Sequence, residues 1–336
     1  MHDLISELAK LVSEQICFRW EYGSDLSDIN IRTRHLSFSH DIFGKQLGIE
    51  TVACDPQRFD ASYEAKHLRT LICVGGEIPY GGISVDNDVA HSLLSAFNRL
   101  RVLSLSWCTR LVELPKTIGL LKHLRYLDLS GTPFRRLPDT IRKLVNLCDL
   151  EISDTEKLKE MPLHVGRLTK LQNLSDYVLG ERSGSSIKEL EKLHCLRKQG
   201  IRNLQNVKDP QDALKANLKG KTQLKYLVLE WNGDTNDSSN ERAVLEQLQP
   251  HTSVEYLLIT GYGGTRFPDW VGVSSFSNIE TLGLRGCKYC CSLPPVGQLR
   301  FLRVLTIEAF EELVSVGPEF YGNCTSKEKP FRSLEV

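Results

Sequence analysis

The chain has 336 residues, 42 Lys and Arg against 42 Asp and Glu, and no net charge. That balance argues against a dedicated nucleic-acid binder, and 25% charged with 41% hydrophobic residues excludes a disordered tail. No apolar run is long enough to span a bilayer, no apolar h-region follows Met1, and ten cysteines are too sparse for a disulfide scaffold.

Taken in chain order, Leu4, Ile5, Leu8, Leu11 and Val12 fall on one helical face, which predicts a short helix over residues 1–17 that needs a surface to pack on. A different pattern starts at Leu68-Arg-Thr-Leu71-Ile-Cys73, an early copy of L-x-x-L-x-L. It recurs in full at Leu100–Cys108, Leu124–Thr132 and Leu147–Thr155, and begins again at Leu171-Gln-Asn-Leu174. Those copies start at 100, 124, 147 and 171, a period of 23 or 24 residues, inside the leucine-rich-repeat range. A second half recurs too: Leu114-Pro115-x-x-Ile118-x-x-Leu121, Leu137-Pro138-x-x-Ile141-x-x-Leu144 and Met161-Pro162-x-x-Val165-x-x-Leu168. The proline stops the strand and the apolar residues return to the core.

Residues 175–223 look too long for one repeat. They read as one or two irregular repeats with an insertion, a polar loop at 181–186 and an amphipathic helix carrying Ile187, Leu190, Leu193 and Leu196. Regular strands resume at Leu224–Asn232, followed by a polar loop over 232–240, and then at Val254–Ile259, Ile279–Cys287 and Leu302–Ile307. Phe331-Arg-Ser-Leu334 reads as the start of a further strand, so the array is expected to be open at its C-terminus.

The expected fold is an α/β leucine-rich-repeat solenoid, a horseshoe with a parallel concave sheet, preceded by a short helical remnant. The leucines point into the stack and the residues between them point out. That outward strip carries Tyr126, Asp128, Asp149, Glu151, Tyr226, Glu230, Trp231, Tyr256, Thr260, Arg285 and Glu308. Mixed polarity with interleaved aromatics suits a protein-binding face. Cys108, Thr132, Thr155, Asn232 and Cys287 occupy the slot where a ladder side chain satisfies backbone groups between stacked turns.

Catalytic chemistry finds no foothold. Cys287-x-x-Cys290-Cys291 has a metal-like spacing, but no second Cys or His pair accompanies it, so no metal site is expected. His194-Cys195 lie side by side in sequence, whereas a nucleophile and its base usually come from separate elements. Lys122-His123-x-Arg125 and Arg135-Arg136 have Asp128, Asp139, Asp149 and Glu151 close by in sequence, which predicts local neutralisation rather than phosphate binding.

The wording of the chain resembles a known family. Met1-His2-Asp3-Leu4, Arg34-His35-Leu36-Ser37-Phe38, Lys66-His67-Leu68-Arg69-Thr70-Leu71, Gly261–Trp270 and Ser292–Leu299 are similar to the plant nucleotide-binding, leucine-rich-repeat disease resistance proteins of the coiled-coil type. The resemblance covers essentially the whole chain. It implies three segments: residues 1–30 as the tail of the nucleotide-binding module, 31–65 as a connection, and 66–336 as leucine-rich repeats. The phosphate-cradling G-x-x-x-x-G-K-[ST] is absent, so His2 and Asp3 are all that remains of nucleotide sensing. No cofactor is expected in this chain, with ADP or ATP held only by a full-length receptor. The repeat at 147–168 begins like one repeat of the family and ends like the next, which implies an array one repeat short.

The function implied is recognition and autoinhibition in plant innate immunity, by a fragment of a larger cytoplasmic receptor. Its partners would be proteins: a pathogen effector, a guarded host protein, or the receptor's own nucleotide module. Neither nucleic acid nor a membrane is expected as a partner. The alternative is a generic intracellular repeat adaptor, such as a ubiquitin-ligase substrate receptor. No enzyme is expected.

Overall fold

The computed structural model describes residues 16–20, 32–39, 67–74, 85–181, 186–233, 237–322 and 330–335. The chain forms two compact units, residues 1–171 and 172–336. Each is an α/β leucine-rich-repeat solenoid built on parallel strands.

In the first unit the strands are β1 (Cys17–Trp20), β2 (His35–Ser39), β3 (Thr70–Val74), β4 (Val102–Ser104), β5 (Tyr126–Asp128) and β6 (Asp149–Glu151). Each pairs in parallel with the next. The register lines up Leu36, Leu71, Leu103, Leu127 and Leu150, all buried. Each repeat's leucines find partners only on the neighbouring repeats, which is why the strands stack in chain order. The helix expected over residues 1–17 lies largely outside the described residues. At its end, however, β1 already joins the sheet, and β2 follows inside the expected connection. Neither has the full leucine pattern: Thr33 takes the place of the first leucine of β2, buried like the residue it replaces.

The return path explains the second half of the motif. Pro115 and Pro138, at φ −58° and −70°, precede 3₁₀ turns at Lys116–Leu120 and Asp139–Lys143, and a third turn covers Val165–Arg167. Ile118, Leu121 and Leu124 recur every third residue and are all buried. That spacing matches a 3₁₀ helix, with about 3 residues per turn, better than an α-helix. Residues 147–171 form one complete repeat of this kind. Where the repeat is longer, from Leu68 to Leu100, the extra chain coils into an α-helix, α1 (Asn87–Ala96). Asp86 caps it by accepting a bond from the Val89 N–H at 2.9 Å, and Val89, Ala90, Leu93 and Leu94 face the core.

The second unit has β7 (Asn173–Val178), β8 (Lys198–Arg202), β9 (Tyr226–Glu230), β10 (Tyr256–Thr260), β11 (Thr281–Arg285) and β12 (Val304–Glu308), again parallel in chain order. The stretch 175–223, expected as one or two irregular repeats with an insertion, belongs to two repeats opening at Leu171 and Leu196. Sequence reading missed β8 because Gln199 and Gly200 interrupt its pattern, and because β7 bulges against it between Leu174 and Tyr177. Gly200 is needed there: a Cβ would collide with the Ser175 carbonyl oxygen. The expected amphipathic helix is a 3₁₀ stretch, Ile187–Lys192; Ile187 and Leu190 within it, with Leu193 and Leu196 after it, repeat the three-residue step.

Longer repeats again carry α-helices, α2 (Pro210–Lys215) and α3 (Ser238–Gln247). The last three residues of the expected loop over 232–240 are therefore the first turn of α3, capped by Asp237 accepting from the Asn240 N–H at 2.9 Å. Near the end, Glu335 donates its N–H to the Arg303 carbonyl at 2.8 Å, as Arg303 does to Glu280. Leu334, not Phe331, thus takes the first leucine position, three residues later than the sequence pattern implied.

Candidate recognition surface on the sheet

Period-two alternation puts the residues between the leucines on the solvent face of each sheet. In the first unit Tyr126 and Asp128 of β5 sit beside Asp149 and Glu151 of β6, in direct register and all half-buried. Asp128 accepts from the Ser104 hydroxyl and from the Ser130 N–H, both at 3.0 Å. Burial, then the charges of Asp128, Glu151 and Asp149, pushes the Tyr126 phenol up to about 12. This is an acidic patch around a phenol locked in its protonated, hydrogen-bond-donating form.

In the second unit the register places Lys198, Tyr226 and Tyr256 side by side. The two tyrosine rings stack with centroids 4.0 Å apart and planes within 9°. The Lys198 ammonium lies 5.9 Å from the Tyr226 centroid, within reach of a cation–π contact. Burial, then the Tyr256 hydroxyl and Asp176, raises the Tyr226 phenol strongly. Two residues along the strands, Val228 and Leu258 extend the apolar surface, flanked by Gly200 and Gly283. A Cβ on Gly283 would sit 2.6 Å from Leu258 Cδ1, so the leucine leans over the glycine. Ion pairs Arg202–Glu230 at 3.8 Å and Arg285–Glu308 at 3.3 Å line the far end of the strands, with Thr260 between them.

Sequence reasoning missed Lys198 and Gly200, because β8 was not recognised. It also misplaced Trp231. That side chain is 2% exposed and packs edge-on against Tyr262, with centroids 5.3 Å apart. β9 ends at Glu230, so alternation no longer dictates direction at the next residue.

The slot after each strand holds inward groups: the two threonines bond within their own turn, whereas Cys108 and Cys287 also reach the preceding repeat, at Cys73 and at the Tyr262 backbone. The Thr132 hydroxyl donates to the Leu129 carbonyl and the Thr155 hydroxyl to the Ile152 carbonyl at 2.6 Å. Cys287 Sγ lies 3.6 Å from the Arg285 carbonyl, and Cys108 Sγ 3.9 Å from Cys73 Sγ. Asn232 departs from this pattern: it is exposed, and its Nδ2 donates to Asn203 Oδ1 at 2.9 Å. Its longer repeat leaves the strand through Gly233 at φ +102°, which carries Asn232 outward. The ladder between repeats also runs through Asn203 and Asn206, whose side-chain amides donate to the Leu179 carbonyl at 3.3 and 3.0 Å.

His2 and Asp3 lie outside the described residues. Among the described residues no three His, Cys, Asp or Glu gather in a way that could hold a metal ion. Burial pushes the Cys287 thiol up to about 12, far from the thiolate a metal or a nucleophile needs. No helix among the described residues is long and apolar enough to cross a membrane.

Residues 187–310 match the family profile described as R13L1/DRL21 LRRs, and residues 123–144 match a Leucine Rich Repeat profile. The whole chain is 36% identical to 25% of a putative disease resistance protein of Arabidopsis thaliana. It is also 35% identical, again over its whole length, to 34% of the putative disease resistance RPP13-like protein 1 of the same plant. The chain thus spans a quarter to a third of the length of these relatives. The leucine-rich repeat domain of the type III effector XopL shares 19% identity and a TM-score of 0.44, over 87% of this chain and 85% of that one.

Proposed function

For a chain that belongs to the plant disease resistance proteins and carries part of their leucine-rich repeats, we propose that the solvent face of the sheet is a protein-recognition surface. The observation that carries this reading is the Tyr226–Tyr256 stack with Lys198 beside it. Two rigid, half-exposed aromatics in contact, rimmed by ion pairs, have the composition of an interface hot spot. The acidic patch around Tyr126 adds a second, differently charged patch for the same kind of partner. The partner is a pathogen effector, a guarded host protein, or the nucleotide-binding module of the same receptor, met inside the cell. The repeats act by population shift: they bind the closed receptor, and a ligand that prefers the open form releases it. Nucleotide belongs to the rest of the receptor, and this chain performs no catalysis.

Co-precipitation with the separately expressed nucleotide-binding module, and with candidate effectors, tests the reading. Replacing Tyr226 and Tyr256 by Ala removes the stack, and each truncated anchor is expected to weaken binding by about 2 kcal/mol. Capture that persists undiminished with the double variant refutes the assignment. Trp231→Ala is no substitute, because that ring is buried and its loss would cost stability.

A further inference from the structure

A second surface lies at the amino-terminal edge of the strands in the first unit. Arg34, Arg69, Arg101 and Arg125 occupy the same position in four consecutive repeats. The Arg69 N–H donates to the Arg34 carbonyl at 2.7 Å, the Arg101 N–H to Arg69 at 2.7 Å, and the Arg125 N–H to Arg101 at 2.8 Å. The backbones of the four arginines therefore follow one another at the spacing of paired strands, about 4.8 Å. Arg69, Arg101 and Arg125 are exposed, and none of them is ion-paired among the described residues. Behind them, Arg99 donates to His67 Nδ1 at 3.0 Å, another cationic group on the same edge.

The carboxylates expected near Lys122-His123-x-Arg125 lie at the Arg125 end of this edge and not beside Arg69 and Arg101. Asp128 bonds Ser104 and Ser130, and Asp149, whose N–H donates to the Arg125 carbonyl at 2.9 Å, borders the row only beside Arg125, away from Arg69 and Arg101. A row of like charges at this spacing repels itself, and the solenoid does not require it. The leucines hold the repeats together, and the residue after the first leucine is free to be anything polar. In the second unit the same position holds Gln172, Arg197, Lys225, Glu255, Glu280 and Arg303, with Lys225 and Glu255 paired at 2.6 Å.

We propose that the amino-terminal edge of β3, β4 and β5 binds a compact, multiply phosphorylated small molecule. Guanidinium forks match phosphate oxygens bidentately, and each phosphate can bridge two neighbouring arginines. An extended acidic peptide presents one carboxylate on a given face only every 6.7 Å or so, out of step with the row. The acidic patch of β5 and β6 limits the ligand at one side, which favours a compact anion over a polymer.

The test is calorimetric titration of the full chain with inorganic tripolyphosphate at about 0.15 M salt. Saturable one-to-one binding is expected. Arg69→Gln with Arg101→Gln should weaken it at least about tenfold, and Arg69→Lys with Arg101→Lys should weaken it less. Arg135→Gln, on another face, should leave it unchanged. The substituted side chains are exposed, and matching melting curves would show that the fold is intact. The proposal is overturned if no saturable binding occurs, or if the Gln double variant binds equally well. It is also overturned if an octaglutamate peptide, single-stranded RNA or phosphoinositide vesicles bind more tightly than the soluble phosphate. Those outcomes would assign the edge to a protein, a nucleic acid or a membrane respectively.

Discussion

Gln199 gives the sharpest test of how this solenoid is held together. It lies in register between Leu174 and Leu227, fully buried, and neither its Nε2 nor its Oε1 has a hydrogen-bond partner. An amide buried without partners costs about 1–3 kcal/mol. Leucine has nearly the same volume, suits the position, and leaves no cavity. Gln199→Leu is therefore expected to stabilise the chain by about 2 kcal/mol. Gln199→Met should do nearly as well, since it keeps the unbranched shape and removes only the polar atoms. Gln199→Glu should do the opposite, because it puts a charge in the same hole. Urea unfolding reads the change as a higher midpoint at unchanged slope. Amide hydrogen exchange in β8 should slow in parallel if the gain is local. A chain that is weakened by Gln199→Leu would refute the reasoning, for it would mean that the amide is bonded and holds the β7 bulge in place.

Two further perturbations follow from the same packing. Lys221 stands where other repeats have leucine, and its buried ammonium donates to the Leu190 and Leu193 carbonyls at 2.7 and 2.8 Å. Burial lowers its pKa to about 8, below its unfolded value of about 10.4, so the unfolded chain holds the extra proton between these two values. Stability should therefore rise with pH from about 8 towards about 10, by up to about 3 kcal/mol, and Lys221→Met should flatten that rise; a wild-type curve that falls over this window would reverse the assigned sign. At Gly261, φ is +67° and a Cβ would collide with the Trp231 carbonyl oxygen. Gly261→Ala should cost about 2 kcal/mol or more, measured by urea unfolding, whereas Gly233→Ala, with open space around it, should cost less.

The regular repeats were legible because their physics is periodic. Leu103, Leu127 and Leu150 announce the strands, and Pro115 and Pro138 announce the turns. The misses fall where one residue type stands in for another. Thr33 and Gln199 hold leucine positions, so β2 and β8 lost their signature. The step of three in Ile187, Leu190, Leu193 and Leu196 satisfies a helical template loosely, and only its recurrence elsewhere in the chain marks it as 3₁₀. The solvent face was legible as far as strand alternation holds. It failed at Trp231, one residue past the end of β9, and at Lys198, on the strand that had been overlooked.

The separation between these two kinds of residue bears on how recognition can change. The regular strands contribute buried leucines, which fix the stack, and outward residues such as Tyr226, Tyr256 and Arg285, which do not. Substitutions at exposed positions generally alter stability by no more than about 0.5 kcal/mol. Stability in a solenoid is close to a sum over repeats and their interfaces, so such changes stay local. The sheet can therefore exchange its aromatic shelf, its acidic patch or its arginine row one repeat at a time. The constraint lies elsewhere, at Gly200 and Gly261, where the backbone of one repeat presses on the next and no side chain fits. Variation that alters recognition should be tolerated at Tyr226 and Tyr256 and refused at those glycines.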